Sequence, residues 1–160
     1  MKQPFKHFVC DVCGREINTE DGMLQWLQKP AETADASPSE EELVSIHICC
    51  RHSSCYGNYE SRARREDLHE QWVHLEDLAG PEGLDELFSF PLERKISQNT
   101  YVGFLEILRR LEIPHYEEAR KYFSRANEDG LIIDLNGYIN GHQSWRQDLL
   151  KQIIEEYSHE

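Results

Sequence analysis

Near the start of the chain stands Phe8-Val9-Cys10-Asp11-Val12-Cys13-Gly14, answered far downstream by His47-Ile48-Cys49-Cys50-Arg51-His52-Ser53-Ser54-Cys55. No other feature constrains the fold as strongly. A Cys-x-x-Cys followed by glycine lets the backbone turn tightly, so that two thiolates reach one ion at ~2.3 Å. The second cluster offers the remaining ligands, and the pattern is read as one structural zinc ion. The predicted ligands are Cys10, Cys13, His52 and Cys55, because the pair His52-x-x-Cys55 in a helix's first turn mirrors the first knuckle. His47 or Cys49 is the alternative to His52, and Cys50 is read as a packing residue. A thioredoxin-like redox pair would need its Cys-x-x-Cys at the start of a helix in a βαβ unit, and the strand-like flanks Phe8, Val9 and Ile17 do not supply one.

The rest of the composition narrows the classes. Over 160 residues the chain carries 30 acidic against 17 basic side chains, a formal charge of −13. The excess is shared: residues 1–60 have 5 basic and 10 acidic, 61–100 have 5 and 9, and 101–160 have 7 and 11. No segment is a net-basic module built to bind phosphate backbones. Five cysteines without an apolar leader point to a reducing, cytoplasmic setting, where clustered thiols serve as ligands more often than as disulfides. No apolar run is long enough to span a membrane.

Along the chain, alternation predicts short strands to about residue 27. A solvated acidic loop over 28–42 follows, and then a strand with Val44, Ile46 and Ile48 on one face and Ser45, His47 and Cys49 on the other. Leu68, Trp72, Leu75 and Leu78 are spaced as in a helix that ends at Ala79-Gly80-Pro81. A short helix over Leu84, Leu87 and Phe88 comes next. Then comes an amphipathic one capped by Asn99-Thr100 with Tyr101, Phe104, Leu105, Leu108 and Leu111 inward. After Pro114 a helix buries Tyr116, Ala119, Phe123 and Ala126 and stops at Gly130. A β-hairpin is predicted near 131–140 around Asn136-Gly137, and a last helix from the capping box Ser144-x-x-Gln147 buries Leu149, Leu150, Ile153, Ile154 and Tyr157. The predicted fold is α+β, an N-terminal zinc-bound small β module followed by an α-helical domain with one hairpin. Its parts are a β module over 1–58, a connecting helix over 59–80 and a helical domain over 81–160.

A metal site fed by a knuckle, a few strands and the first turn of a helix resembles the treble-clef and zinc-ribbon class of zinc modules. The resemblance covers residues 8–60 and rests on Cys10-x-x-Cys13-Gly14 and His52-x-x-Cys55. It implies a structural Zn2+ and a rigid module.

The function expected from these residues is protein–protein interaction or an adaptor role without catalysis, with a protein partner of basic character. The alternative is a nucleic-acid-binding regulator using Arg51, Arg62, Arg64 and Arg65, or a winged-helix-like C-terminal half. Glu60, Glu66, Asp67 and Glu70 interleave with those arginines at pairing distance, which describes a solvated helix face. A third reading is a zinc hydrolase with Cys10, Cys13 and Cys55 as ligands and Glu60 or Glu66 as base. A calcium loop at Asp134-x-Asn136-Gly137 fails, since Ile132 and Gln143 stand where the essential carboxylates belong.

Overall fold

The computed structural model describes residues 7–33, 35–132 and 146–159. It is an α+β structure centred on two long antiparallel strands, β3 (Gly22–Lys29) and β4 (Glu42–Cys50), joined through the acidic loop. Their pairing runs from Gly22 opposite Cys50 to Lys29 opposite Glu42, with one irregularity beside Leu27 and Gln28. Strand alternation then sorts the side chains. Leu24, Trp26, Ile46 and Ile48 share one face, and Met23, Gln25, Leu27, His47 and Cys49 the other.

Each face is covered by helix. On the second face lies α1 (Ser53–Glu66), whose Tyr59 ring stacks on His47 at 3.7 Å. On the first lie α2 (Pro81–Glu93) and α3 (Gln98–Glu112). Phe90 of α2 meets Trp26 edge-on at 4.9 Å and stacks on Phe104 of α3 at 5.5 Å. In α3 Phe104 is buried as expected and Leu105, Leu108 and Leu111 are half-buried, but Tyr101 is exposed and Ile107 is buried in its stead. The cap is Ser97, whose hydroxyl accepts from the Thr100 N–H at 3.3 Å.

The helix expected around Trp72 is instead β5 (His69–His74), an edge strand antiparallel to β3, followed by a 3-10 turn over Leu75–Leu78. The cause is local. Asp67 adopts the left-handed conformation with φ 54°, and the N–H groups of Asp67 and Leu68 both bond to the Ala63 carbonyl, which ends α1 and sends the chain back along the sheet. Leu75 and Leu78 are buried as expected, but through the turn, while Trp72 is exposed. On the other side of the sheet β6 (Lys95–Ile96) runs parallel to the start of β4.

The helix expected over Tyr116 to Ala126 forms in two pieces, α4 (Tyr116–Ala119) and α5 (Phe123–Glu128), separated by a 3-10 turn. Its predicted stripe of Tyr116, Ala119, Phe123 and Ala126 is buried nonetheless. With Leu150, Ile153 and Tyr157 of α6 (Gln147–Tyr157) it makes a second apolar core beside the one on the sheet. The hairpin predicted near 131–140, the calcium-like loop and the cap at Ser144 fall outside the described residues, apart from Leu131 and Ile132. No described helix is long and apolar enough to cross a membrane.

Candidate metal centre

A small hairpin of β1 (His7–Val9) and β2 (Glu16–Asn18) carries the knuckle at its tip. Within it the Gly14 N–H bonds the Cys10 carbonyl at 2.9 Å and the Cys10 N–H bonds the Arg15 carbonyl at 2.8 Å. Gly14 takes φ 72°, the left-handed turn its lack of a Cβ permits. The knuckle lies along the outer edge of β4: the Asp11 N–H bonds the Ile48 carbonyl at 2.8 Å, and the Asp11 carboxylate accepts from the Ile48 N–H at 2.8 Å. That contact brings the tip of one hairpin to the end of the other.

Four thiols meet there. The sulfurs of Cys10, Cys13, Cys50 and Cys55 all lie within 4.8 Å of one another. Cys13 and Cys50 are 4.0 Å apart, and a regular tetrahedron of thiolates at ~2.3 Å from a metal has edges of about 3.8 Å. Cys10 Sγ also accepts from the N–H groups of Cys13 at 3.5 Å and Cys50 at 3.4 Å, as sulfur in a metal-binding knuckle does. The donor set therefore fits one tetrahedral ion held by four sulfurs. Among the described residues, Cys10, Cys50 and Cys55 are buried and Cys13 is exposed.

Cys50 stands where His52 was expected, and it was expected only to pack. His52 is instead the N-cap of α1, with Nδ1 accepting from the Ser54 N–H at 3.2 Å and its ring turned to solvent. His47 and Cys49, the alternatives, lie on the face of β4 that carries α1, both directed at Gln25: His47 Nε2 donates to Gln25 Oε1 at 2.7 Å, and the Cys49 thiol reaches the same oxygen at 3.5 Å. Gln25 closes the network by donating to the Tyr56 carbonyl at 3.0 Å and to Glu70 at 2.8 Å. Strand parity was the missed signal. Ile46, Ile48 and Cys50 share one side of β4, so the last residue of that side turns to the other thiols just before the helix that carries Cys55.

The surroundings act in opposite directions on Cys13 and Cys55. The Arg15 guanidinium bonds the Cys13 sulfur and brings its pKa down to about 6. Burial pushes Cys55 up to about 12, with the thiols of Cys50 and Cys13 adding to the effect. Four thiolates side by side would repel one another, and a divalent metal among them would offset that repulsion. Cys49, away from the cluster, is raised far above its usual value by burial and stays a neutral thiol.

Sequence reasoning missed Arg110. Its side chain, 1% exposed, donates to both oxygens of Asp11 at 2.9 and 2.7 Å, to both oxygens of Glu117 at 2.7 and 2.8 Å, and to the Val9 carbonyl at 2.8 Å. Glu117 in turn accepts from the Val9 N–H at 2.8 Å. One buried guanidinium therefore joins the knuckle to α3 and α4.

The arginines considered for nucleic acid behave differently from one another. Arg51 pairs with Glu76 and Arg62 with Glu66, each at 3.0 Å, while Arg64 and Arg65 lie exposed in the last turn of α1. No protein-family model matches the chain, and neither a curated protein nor a solved structure shows significant similarity to it.

Proposed function

We propose that the chain is a zinc-stabilised adaptor of a reducing cytosol, in which a treble-clef-like module is held rigid by one Zn2+ and the work done is binding another protein. The observation that carries this reading is the sulfur set: Cys10, Cys13, Cys50 and Cys55 lie within 4.8 Å of one another, and four thiolates on one tetrahedral ion would leave no coordination position for water or substrate. A closed site of this kind contributes folding free energy, not chemistry. Against the hydrolase alternative stands the same sulfur set, and Glu66, one candidate base, is already paired with Arg62. Against nucleic acid stand the pairing of Arg51 and Arg62 and the charge of −13.

A four-sulfur tetrahedron also accommodates a single iron ion, so the test begins with metal content. Native protein purified under reducing conditions is expected to hold one zinc per chain by mass spectrometry, with four sulfurs at ~2.3 Å by X-ray absorption. An oxygen or nitrogen neighbour in the first shell, or a chain whose melting is indifferent to chelation, would overturn the reading.

A further inference from the structure

Helix α2 is apolar over more of its circumference than its packing uses. Gly83, Leu87 and Phe90 form the buried stripe. Beside it Leu84, Phe88, Pro91 and Leu92 recur at i, i+4, i+7 and i+8, a second stripe on the same helix. Phe88 is 59% exposed and Leu92 80%, values that the hydrophobic effect penalises unless something covers them. Along the far flank of this ridge run Glu82, Asp85, Glu86 and Glu93, all exposed. Arg94, the basic residue that follows, is drawn back over the Phe90 ring at 3.7 Å and pairs with Glu93, so its charge is already engaged.

An apolar ridge bordered by four carboxylates specifies what fits on it. From this ridge we infer that α2 docks a basic amphipathic helical segment of another protein, with apolar anchors seated against Phe88 and Leu92 and lysine or arginine facing Glu82, Asp85 and Glu86. A second copy of this chain is a poor occupant. It would set the same four carboxylates against each other and bring together two molecules of formal charge −13. The inference rests on the adaptor reading and names the class of its partner.

The test uses the full, metal-loaded chain and two dye-labelled synthetic peptides of about 18 residues, identical in leucine and lysine content. One has leucine at i, i+3, i+4 and i+7; the other disperses it. Binding is followed by anisotropy at about 0.15 M salt, where loose charge attraction is screened. The patterned peptide is expected to bind saturably and the dispersed one at least about tenfold more weakly. The double variants Phe88→Ser/Leu92→Ser and Asp85→Lys/Glu86→Lys should each weaken binding at least about tenfold. Glu118→Lys/Glu155→Lys, the same charge change elsewhere, should leave it within about threefold. Equal binding of the two peptides, or equal losses in all three variants, would reduce the effect to net charge and overturn the inference. Dimers in sedimentation that vanish with Leu92→Ser would overturn it in favour of self-association. Zinc content and chelation-dependent melting measured on the same samples keep the scaffold reading separate: docking can fail while the zinc dependence stands, and the reverse.

Discussion

At the scale of single residues, the last two positions of β4 show how position decides role among similar side chains. Cys49 and Cys50 are neighbours, yet one faces Gln25 and the other the thiol cluster. Cys50→Ser should therefore lower bound metal and stability sharply, while Cys49→Ser keeps one metal per chain; metal analysis of the two variants side by side checks this. His52→Ala should keep the metal and cost about 1 kcal/mol, the loss of a helix cap, by chemical unfolding. His47 carries a separate pH dependence. Burial lowers its pKa from 6.5 to about 4, so the unfolded chain takes up a proton at a higher pH than the folded one. The folded state keeps its full stability above pH 6.5 and loses up to about 3 kcal/mol as the pH falls toward 4. Urea unfolding of the wild type and His47→Gln across this range should show the loss in the difference between them, since acid acts on the metal thiols of both alike.

At the scale of elements, two helical glycines that look alike in the sequence should respond in opposite directions to alanine. A Cβ on Gly83 of α2 would sit 2.1 Å from the Leu78 carbonyl oxygen, backbone that cannot step aside, whereas one on Gly103 of α3 would find its nearest neighbour, a methyl of Ile46, at 4.0 Å. Gly83→Ala is expected to lower stability by about 1–3 kcal/mol through overpacking. Gly103→Ala should raise it by about 0.5–1 kcal/mol through helix propensity, both read from thermal or chemical melts. The contrast illustrates what was legible in the chain. Periodicity located α3, the strands β3 and β4 and the stripe of α4 and α5, because there the apolar spacing and the local backbone agree. It misjudged residues 68–78, where Leu68, Trp72, Leu75 and Leu78 keep helical spacing but Asp67 breaks the helix and pairing with β3 claims the segment. The metal knuckle was legible because its ligands are close in sequence. Its fourth member was not, since choosing Cys50 over His52 required knowing which side of β4 faces Cys10.

At the scale of the molecule, the cysteine knuckle and the second core are mechanically linked, chiefly through Arg110. Contacts between residues as distant as Asp11 and Arg110 leave no periodic trace, which is why nothing in the sequence announced them. Truncating Arg110 to Ala would leave Asp11 and the buried Glu117 only the longer contacts with Arg120, at 3.9 and 3.7 Å, so the loss is expected to fall somewhat below the about 3–5 kcal/mol of a buried ion pair stripped of one partner. Metal removal acts on the same assembly from the other side. Without the ion the knuckle loses the bonds that hold Cys10 and Cys13 to Cys50 and Cys55, and Asp11 between them loses its fixed place beside Arg110. Hydrogen exchange after chelation should therefore quicken at residues 8–18 and also at 116–119 in α4, which carries no ligand. Residues 24–27 of β3, paired on both sides by β4 and β5, should stay protected longest. Faster exchange confined to 8–18 would mean that the knuckle opens alone and that Arg110 holds α4 through Glu117 without it.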